Sequence, residues 1–137
     1  FAQALAAASF TAVEIDAAAS ACAKQNLDER GLAGKVVTTG ADAFVIPPRT
    51  EIVVLDPPRT GAAAAMSAIA ASSARAVIYV ACDPPTMARD LAILAAAGFA
   101  LTHLETVELF PQTSHVETVA RLIRARPSRH ASAKALP

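Results

Sequence analysis

Residues 76–91 read AVIYVACDPPTMARDL and hold a strand, a turn and a helix in one segment. The first part, 76–81, is a short apolar run rich in Val, Ile and Tyr, which predicts a buried β-strand. Two prolines follow Asp83, and proline is tolerated in the first turn of a helix. We therefore predict a helix at 84–97 that ends before Gly98. A strand that passes directly into a helix is the repeating unit of an α/β fold.

Similar units precede this one, and their strand and helix signals alternate along the chain. The predicted strands are 11–15 (TAVEI), 35–39 (KVVTT) and 51–55 (EIVVL), and the predicted helices are 17–30 and 62–73. This alternation predicts a parallel sheet with helices on both faces. Two further strands, 101–109 and 116–125, are separated only by FPQTSH, which is too short for a helix, so we predict an antiparallel hairpin.

Composition limits the class of protein. The 137 residues are 54% hydrophobic and carry 12 basic and 12 acidic side chains, as expected for one soluble globular domain. No apolar run is long enough to predict a membrane span. The two cysteines, Cys22 and Cys82, lie far apart, which favours a reducing, cytoplasmic setting over a disulfide framework, and they are too few to predict a metal site. We interpret Cys22, in the middle of a helix, as a packing residue.

Carboxylates follow the first two predicted strands. In open α/β sheets, ligands bind beyond the carboxyl ends of the strands. Glu14, in VEID, could accept hydrogen bonds from the ribose hydroxyls of a nucleotide-like cofactor, although a solvent-facing acid is equally compatible with the pattern. Asp42, in TTGADAF, could pair with an adenine amino group, or it could be an ordinary loop or helix-capping residue.

Two proline turns carry more specific signals. In 56–61 (DPPRTG), the prolines fix a rigid turn that holds Asp56 at the end of a buried strand; a purely structural turn is the alternative. Cys82 lies between a strand end and a helix N-terminus, where the helix dipole favours the thiolate and nucleophilic attack. The alternative for Cys82 is a buried, inert cysteine.

The segment 110–117 (FPQTSHVE) connects the last two strands. His115 could act as a base, but a histidine in a loop more often holds backbone or substrate. Glu117 begins the last strand and can point toward the same edge of the sheet as Cys82.

Together, VEID, DPPRTG, ACDPPTMARDL and FPQTSHVE, in this order, resemble the RNA uracil-C5 methyltransferases, which make 5-methyluridine in tRNA and in large ribosomal RNA. The resemblance implies a class I S-adenosylmethionine-dependent methyltransferase sheet that ends in an antiparallel hairpin. It also implies that Cys82 is the nucleophile and Glu117 the general base, with Glu14, Asp42 and Asp56 at the cofactor site.

The same resemblance sets expectations for partners. The ARD and HVE endings are closer to the 23S ribosomal RNA branch than to the tRNA branch, so we expect RNA as partner, ribosomal RNA ahead of tRNA. Neither a membrane nor an obligate protein partner is expected. One departure is that family members usually have Ser-Cys-Asn-Pro where this chain has Ala-Cys-Asp-Pro at 81–84.

The resemblance further implies that the glycine-rich loop of the family, and the central strand before it, should precede Phe1. We therefore expect residues 1–126 to form a partial catalytic domain that lacks its first strand and is inactive alone, and 127–137 to form a disordered tail.

Two other functions remain compatible with the sequence. One is a class I methyltransferase that acts on an amino group, since such enzymes also carry a D-P-P motif, usually followed by an aromatic residue where this chain has Arg59. The other is a noncatalytic fragment of an RNA-modifying enzyme that keeps the fold without the cofactor. Replacing Cys82 by Ala separates the two enzymes, because only the uracil methyltransferase needs the thiol.

Overall fold

The computed structural model describes residues 9–108 and 116–125. Their elements, in chain order, are β1 (Phe10–Glu14), α1 (Ala17–Glu29), β2 (Gly34–Thr38), β3 (Ile52–Leu55), α2 (Ala63–Ala71), β4 (Ala76–Ala81), α3 (Pro84–Ala96), β5 (Phe99–Val107) and β6 (Glu117–Arg124). Every strand and helix named above is found, with bounds that differ by at most two residues. The expected tail at 127–137 lies outside the described residues.

The strands form two sheets. In one sheet, β1 pairs in parallel with β2; in the other, the order is β3-β4-β6-β5. Strand β4 is parallel to β3 and antiparallel to β6, and β6 is antiparallel to β5, so the predicted hairpin is confirmed. Within the described part of the chain, β1 and β3 each pair on one side only.

The core lies on one face of the larger sheet. Side chains alternate along a strand, and in β4 the buried ones are Val77, Tyr79 and Ala81. They pack in one cluster with Met66 and Ile69 of α2, Met87 and Leu94 of α3, and Ala120 and Leu122 of β6. The consecutive apolar residues at 52–55 and 77–80 would suit strands that are buried on both faces, but β3 has no fully buried residue and β4 is fully buried on one face only. Because α2 and α3 contact one another on the same face, the opposite face of β4 is only partly buried.

Helix α1 packs on the smaller sheet and contacts β1 and β2. It begins at its N-cap Asp16, whose Oδ1 accepts a hydrogen bond of 2.7 Å from the backbone N–H of Ala19. Ser20 is the buried residue of this helix, whereas Cys22 is exposed. The interpretation of Cys22 as a packing residue was therefore wrong, because its side of α1 faces away from the sheet. None of the helices in 9–108 is long and apolar enough to cross a membrane.

Candidate active site

Asp56 and Cys82 lie at the same edge of the larger sheet. Strands β3 and β4 run parallel, with Leu55 paired to Tyr79, and Asp56 follows directly after the end of β3. Cys82 follows directly after the end of β4. Parallel strands bring their carboxyl ends to one edge, so both residues belong to the edge where ligands bind in such sheets. Asp56 is exposed and Cys82 is half-buried.

Glu117 reaches this edge from the antiparallel partner of β4. The last pair of the β4–β6 ladder joins Ala81 to Thr118. One register position further stand Cys82 and Glu117, and directly opposed residues of an antiparallel ladder have Cβ atoms about 4.5–5.5 Å apart. Ala81 and Thr118 are buried on the side of α2 and α3. By alternation, Glu117 belongs to the other side of the sheet.

The turn after Cys82 is capped by its neighbour. Asp83 is the N-cap of α3, and its Oδ1 accepts a hydrogen bond of 2.9 Å from the backbone N–H of Thr86. Pro84 and Pro85 occupy the first two helical positions, where a missing N–H has no cost. The hydrogen bonds with Thr86 hold the pKa of Asp83 below its ordinary value. Asp83, which stands where the resembled family usually has Asn, therefore caps the N-terminus of α3 next to the Cys82 thiol.

The DPPRTG turn is closed by its own backbone and lies against α3. The N–H of Gly61 donates to the carbonyl of Pro58 at 2.8 Å, and Gly61 has a φ of 80°, which disfavours side chains. A Cβ at Gly61 would lie 2.5 Å from Cγ2 of Thr86 and 2.6 Å from Oδ2 of Asp90. Glycine is therefore required here both for the backbone conformation and for close contact with α3.

Beneath this turn lies a polar cluster that the sequence analysis missed. Asp90 is fully buried, and its Oδ2 accepts hydrogen bonds of 2.6 Å from the Tyr79 hydroxyl and from the N–H of Ala62. Its Oδ1 accepts from Nε and Nη2 of Arg89 at 3.0 and 2.8 Å. The available signal was helical spacing: Asp90 follows Met87 by one turn and precedes Leu94 by another, on the buried face of α3.

These contacts fix the ionisation of the cluster. Burial raises the pKa of Asp90, but the hydrogen bonds from Tyr79, Ala62 and Arg89 outweigh it, and the pKa is lowered overall. Burial, followed by the hydrogen bond to Asp90, raises the pKa of Tyr79 well above its ordinary value of 10.0. Asp90 is therefore a carboxylate and Tyr79 a neutral donor at physiological pH.

Glu14 and Asp42 lie at the edge of the smaller sheet. Glu14 ends β1, and its Oε1 accepts a hydrogen bond of 2.8 Å from the N–H of Asp16. The carbonyl of Glu14 accepts from Thr39, which joins the end of β1 to the turn after β2. In that turn a Cβ at Gly40 would collide with the exposed Asp42 carboxylate. The missing side chain of Gly40 therefore lets this carboxylate approach the backbone.

The predicted site residues thus form two groups. The first comprises Glu14 and Asp42, and the second comprises Asp56, Cys82 and Glu117. No strand pairing within 9–108 and 116–125 joins the groups, because β1 and β3 belong to different sheets. His115 lies outside the described residues.

Comparison with solved structures identifies the fold. The chain is similar to the Pyrococcus abyssi tRNA (uracil-54, C5)-methyltransferase, solved with S-adenosyl-L-homocysteine, with a TM-score of 0.75 and 24% identity over 82% of this chain and 28% of that one. It is also similar to the N-methyltransferase NodS from Bradyrhizobium japonicum, with a TM-score of 0.68 and 13% identity over 85% of this chain and 66% of that one. The chain has the class I methyltransferase fold.

Sequence comparisons identify the family. An uncharacterized RNA methyltransferase from Clostridium acetobutylicum is 36% identical over 119 residues, 82% of this chain and 26% of that protein. A 23S rRNA (uracil(1939)-C(5))-methyltransferase from Pseudoalteromonas translucida is 43% identical over 70 residues, 51% of this chain and 16% of that protein. The chain thus spans about a quarter or less of these relatives. Because residues 47–125 match the model of the family described as tRNA (Uracil-5-)-methyltransferase, the chain belongs to that family.

Proposed function

We propose that the complete protein methylates C5 of a uridine in RNA, with S-adenosylmethionine as methyl donor and Cys82 as nucleophile. The observation that supports this proposal is the register of β4 and β6: their last pair joins Ala81 to Thr118, and Cys82 and Glu117 are the next residues along the two strands. A thiol and a carboxylate at one strand end are the two groups that such a reaction needs.

The carboxylates at the strand ends fit a nucleoside cofactor. Glu14 ends β1, and Asp42 lies exposed in the turn after the adjacent parallel strand β2, with its carboxylate against the backbone of Gly40. Carboxylates in these positions accept hydrogen bonds from ribose hydroxyls and adenine amino groups. Asp56 holds the corresponding place after β3. When bound, S-adenosylmethionine supplies an electrophilic methyl group.

Cys82 activates the uracil ring. Its thiolate adds to C6, which moves an electron pair toward C5 and the neighbouring carbonyl as an enolate. The enolate C5 would then attack the sulfonium methyl group, and the electron pair of the broken S–CH3 bond would stay on the cofactor sulfur, leaving it as a thioether. The turn supports this step because Cys82 lies directly before the N-cap of α3, close to the positive end of the helix dipole.

Glu117 completes the reaction. Its carboxylate removes the proton from C5, the C5–C6 double bond re-forms, and the C6–S bond breaks to return the thiolate of Cys82. By strand alternation, Glu117 belongs to the side of the sheet opposite the core that α2 and α3 cover. A stacked uridine cannot reach such a site, so the target is unpaired or flipped out.

Ribosomal RNA is the substrate that the sequence favours. The ARD and HVE endings support it, as does the similarity to a relative named for 23S rRNA, whereas the family is named for tRNA. The proposal includes a cytoplasmic location, because the mechanism needs a reduced cysteine. Methyl incorporation by the complete protein into unmodified 23S rRNA and into unmodified tRNA distinguishes the two substrates.

The test of the mechanism uses RNA that contains 5-fluorouridine. Because C5 carries fluorine in place of hydrogen, no proton can be removed from it and the enzyme cannot be released by elimination. The complete protein with S-adenosylmethionine should therefore form a covalent adduct that survives a denaturing gel. Cys82→Ala should abolish the adduct, and Cys22→Ser, at the exposed cysteine of α1, should leave it unchanged. Glu117→Gln should accumulate the adduct even on ordinary uridine, because its proton is not removed.

Methyl transfer to another atom that survives Cys82→Ala would exclude the thiolate mechanism and favour the amino-group methyltransferase.

A further inference from the structure

The cluster of Tyr79, Arg89 and Asp90 has no part in the bond-making steps, yet it is hydrogen-bonded to the end of the DPPRTG turn and belongs to the two elements that flank Cys82. Tyr79 belongs to β4, which carries Cys82 at its end, and Arg89 and Asp90 belong to α3, which begins after Cys82. Every buried side-chain nitrogen or oxygen in the described part of the chain has a hydrogen-bond partner, so the cluster is complete.

From α3 the cluster reaches the turn that carries Asp56. The Ala62 N–H donates to Oδ2 of Asp90 across 28 residues of sequence, at 2.6 Å. Arg89 donates from Nη2 to the carbonyl of Thr60 at 2.9 Å. Two backbone groups at the end of the DPPRTG turn are therefore bound by adjacent residues of α3, and the missing Cβ of Gly61, between them, lets the turn approach.

We propose that Asp90 is a positioning residue whose buried carboxylate sets the DPPRTG turn, and with it Asp56, relative to Cys82. The proposal rests on the proposed function. It adds that Asp90 fixes the position of Asp56, on the cofactor side of the site, relative to the nucleophile Cys82. Asp90 touches neither substrate nor cofactor in this scheme; it acts through Ala62, Tyr79 and Arg89.

A carboxylate suits this role better than an amide. Its two oxygens accept from donors on both sides: Oδ2 from Tyr79 and Ala62, and Oδ1 from Arg89. In Asp90→Asn, the amide NH2 would face either the Arg89 guanidinium or the Ala62 N–H, neither of which can accept a hydrogen bond, and only the Tyr79 hydroxyl could reverse its role. The geometry of the turn would then change although the volume of the side chain stays the same.

The test measures kcat and KM of the complete protein in steady-state methyl transfer. Asp90→Asn should lower kcat by roughly 10- to 100-fold, because a displacement of about 1 Å at a reacting site costs rate in this range. The KM values for RNA and S-adenosylmethionine should change by less than about threefold, since positioning acts on the reacting geometry rather than on uniform binding. Tyr79→Phe removes only one hydrogen bond and should lower kcat less.

The matched control is Arg124→Met. The Arg124 guanidinium donates to the carbonyls of Ala70, Ser72 and Ala74, at the far end of β4 from Cys82. This variant also loses half-buried hydrogen bonds and stability, but kcat should stay at the wild-type value at a temperature where all variants are folded.

The proposal is overturned if Tyr79→Phe and Asp90→Asn keep the wild-type kcat when folded, or if Arg124→Met loses kcat equally. Should Asp90→Asn not fold, Tyr79→Phe alone decides between these outcomes. Failure of the proposed function looks different: the wild-type protein then forms no adduct with 5-fluorouridine RNA, whatever the state of position 90.

Discussion

The phenolic hydroxyl of Tyr79 donates a hydrogen bond of 2.6 Å to Oδ2 of Asp90, and both side chains are fully buried. The bond joins strand β4 to α3, the helix that follows it and packs on the sheet. A buried carboxylate is costly unless it is fully hydrogen-bonded, and here it is bonded on both oxygens. The ionisation of this pair and the stability of the fold are therefore coupled.

Tyr79 should ionise well above its ordinary pKa of 10.0, because burial and then the bond to Asp90 favour the neutral phenol. It is the single tyrosine of the 137 residues, so the absorbance difference between wild type and Tyr79→Phe reports it alone. A raised pKa contributes stability that is complete below pH 10.0 and is lost as the pH rises beyond it. Titration of Tyr79 at its ordinary value in the folded protein would contradict the buried bond.

Tyr79→Phe should lower the free energy of unfolding by about 1–3 kcal/mol, since one acceptor position of a buried carboxylate loses its donor. Asp90→Ala should cost more, because the Tyr79 hydroxyl and the Ala62 N–H both lose their acceptor. Urea unfolding of the two single variants and the double variant measures the coupling of the pair. For residues in contact we expect about 0.5–3 kcal/mol, and additive effects would show that the bond contributes nothing.

The contribution of Asp90 to stability should disappear in acid. Its folded-state pKa is depressed, so the stabilisation is present above the ordinary value of 3.8 and is lost as the pH falls through the lower folded value. The difference in unfolding free energy between wild type and Asp90→Asn should thus be constant near neutrality and shrink below pH 3.8. A difference that instead grows on acidification would mean that Asp90 is protonated in the native state.

Gly61→Ala should destabilise the fold more than Gly98→Ala. Both glycines have positive φ values, 80° and 87°, so both substitutions strain the backbone by about 1–2 kcal/mol. A Cβ at Gly98 meets nothing within 4 Å, whereas at Gly61 it meets Thr86, Arg89 and Asp90. The difference in the loss of stability between the two variants, measured by thermal unfolding, gives the cost of the contact with α3. Equal losses would show that the turn can shift to accommodate the Cβ at little cost.

Local sequence patterns were enough to predict the strands, the helices and the proline turns. Short β-branched runs, Ala-rich segments and the prolines after Asp56 and Asp83 act over a few residues, so their bounds were predicted to within two positions. The choice of Cys82 and Glu117 also came from the sequence, through a motif resemblance, and the β4–β6 register is compatible with their meeting. Their catalytic roles remain predictions.

What depended on tertiary structure was which surfaces meet. Apolar runs in β3 and β4 do not reveal that α2 and α3 pack on one face, and an Ala-rich helix does not reveal that Cys22 points away from its sheet. Asp90 shows this most clearly, because its partners Ala62 and Tyr79 lie 28 and 11 residues away in the sequence. Local propensity determines how a segment folds, whereas the partner of a buried polar group is determined by packing between segments that the sequence does not place side by side.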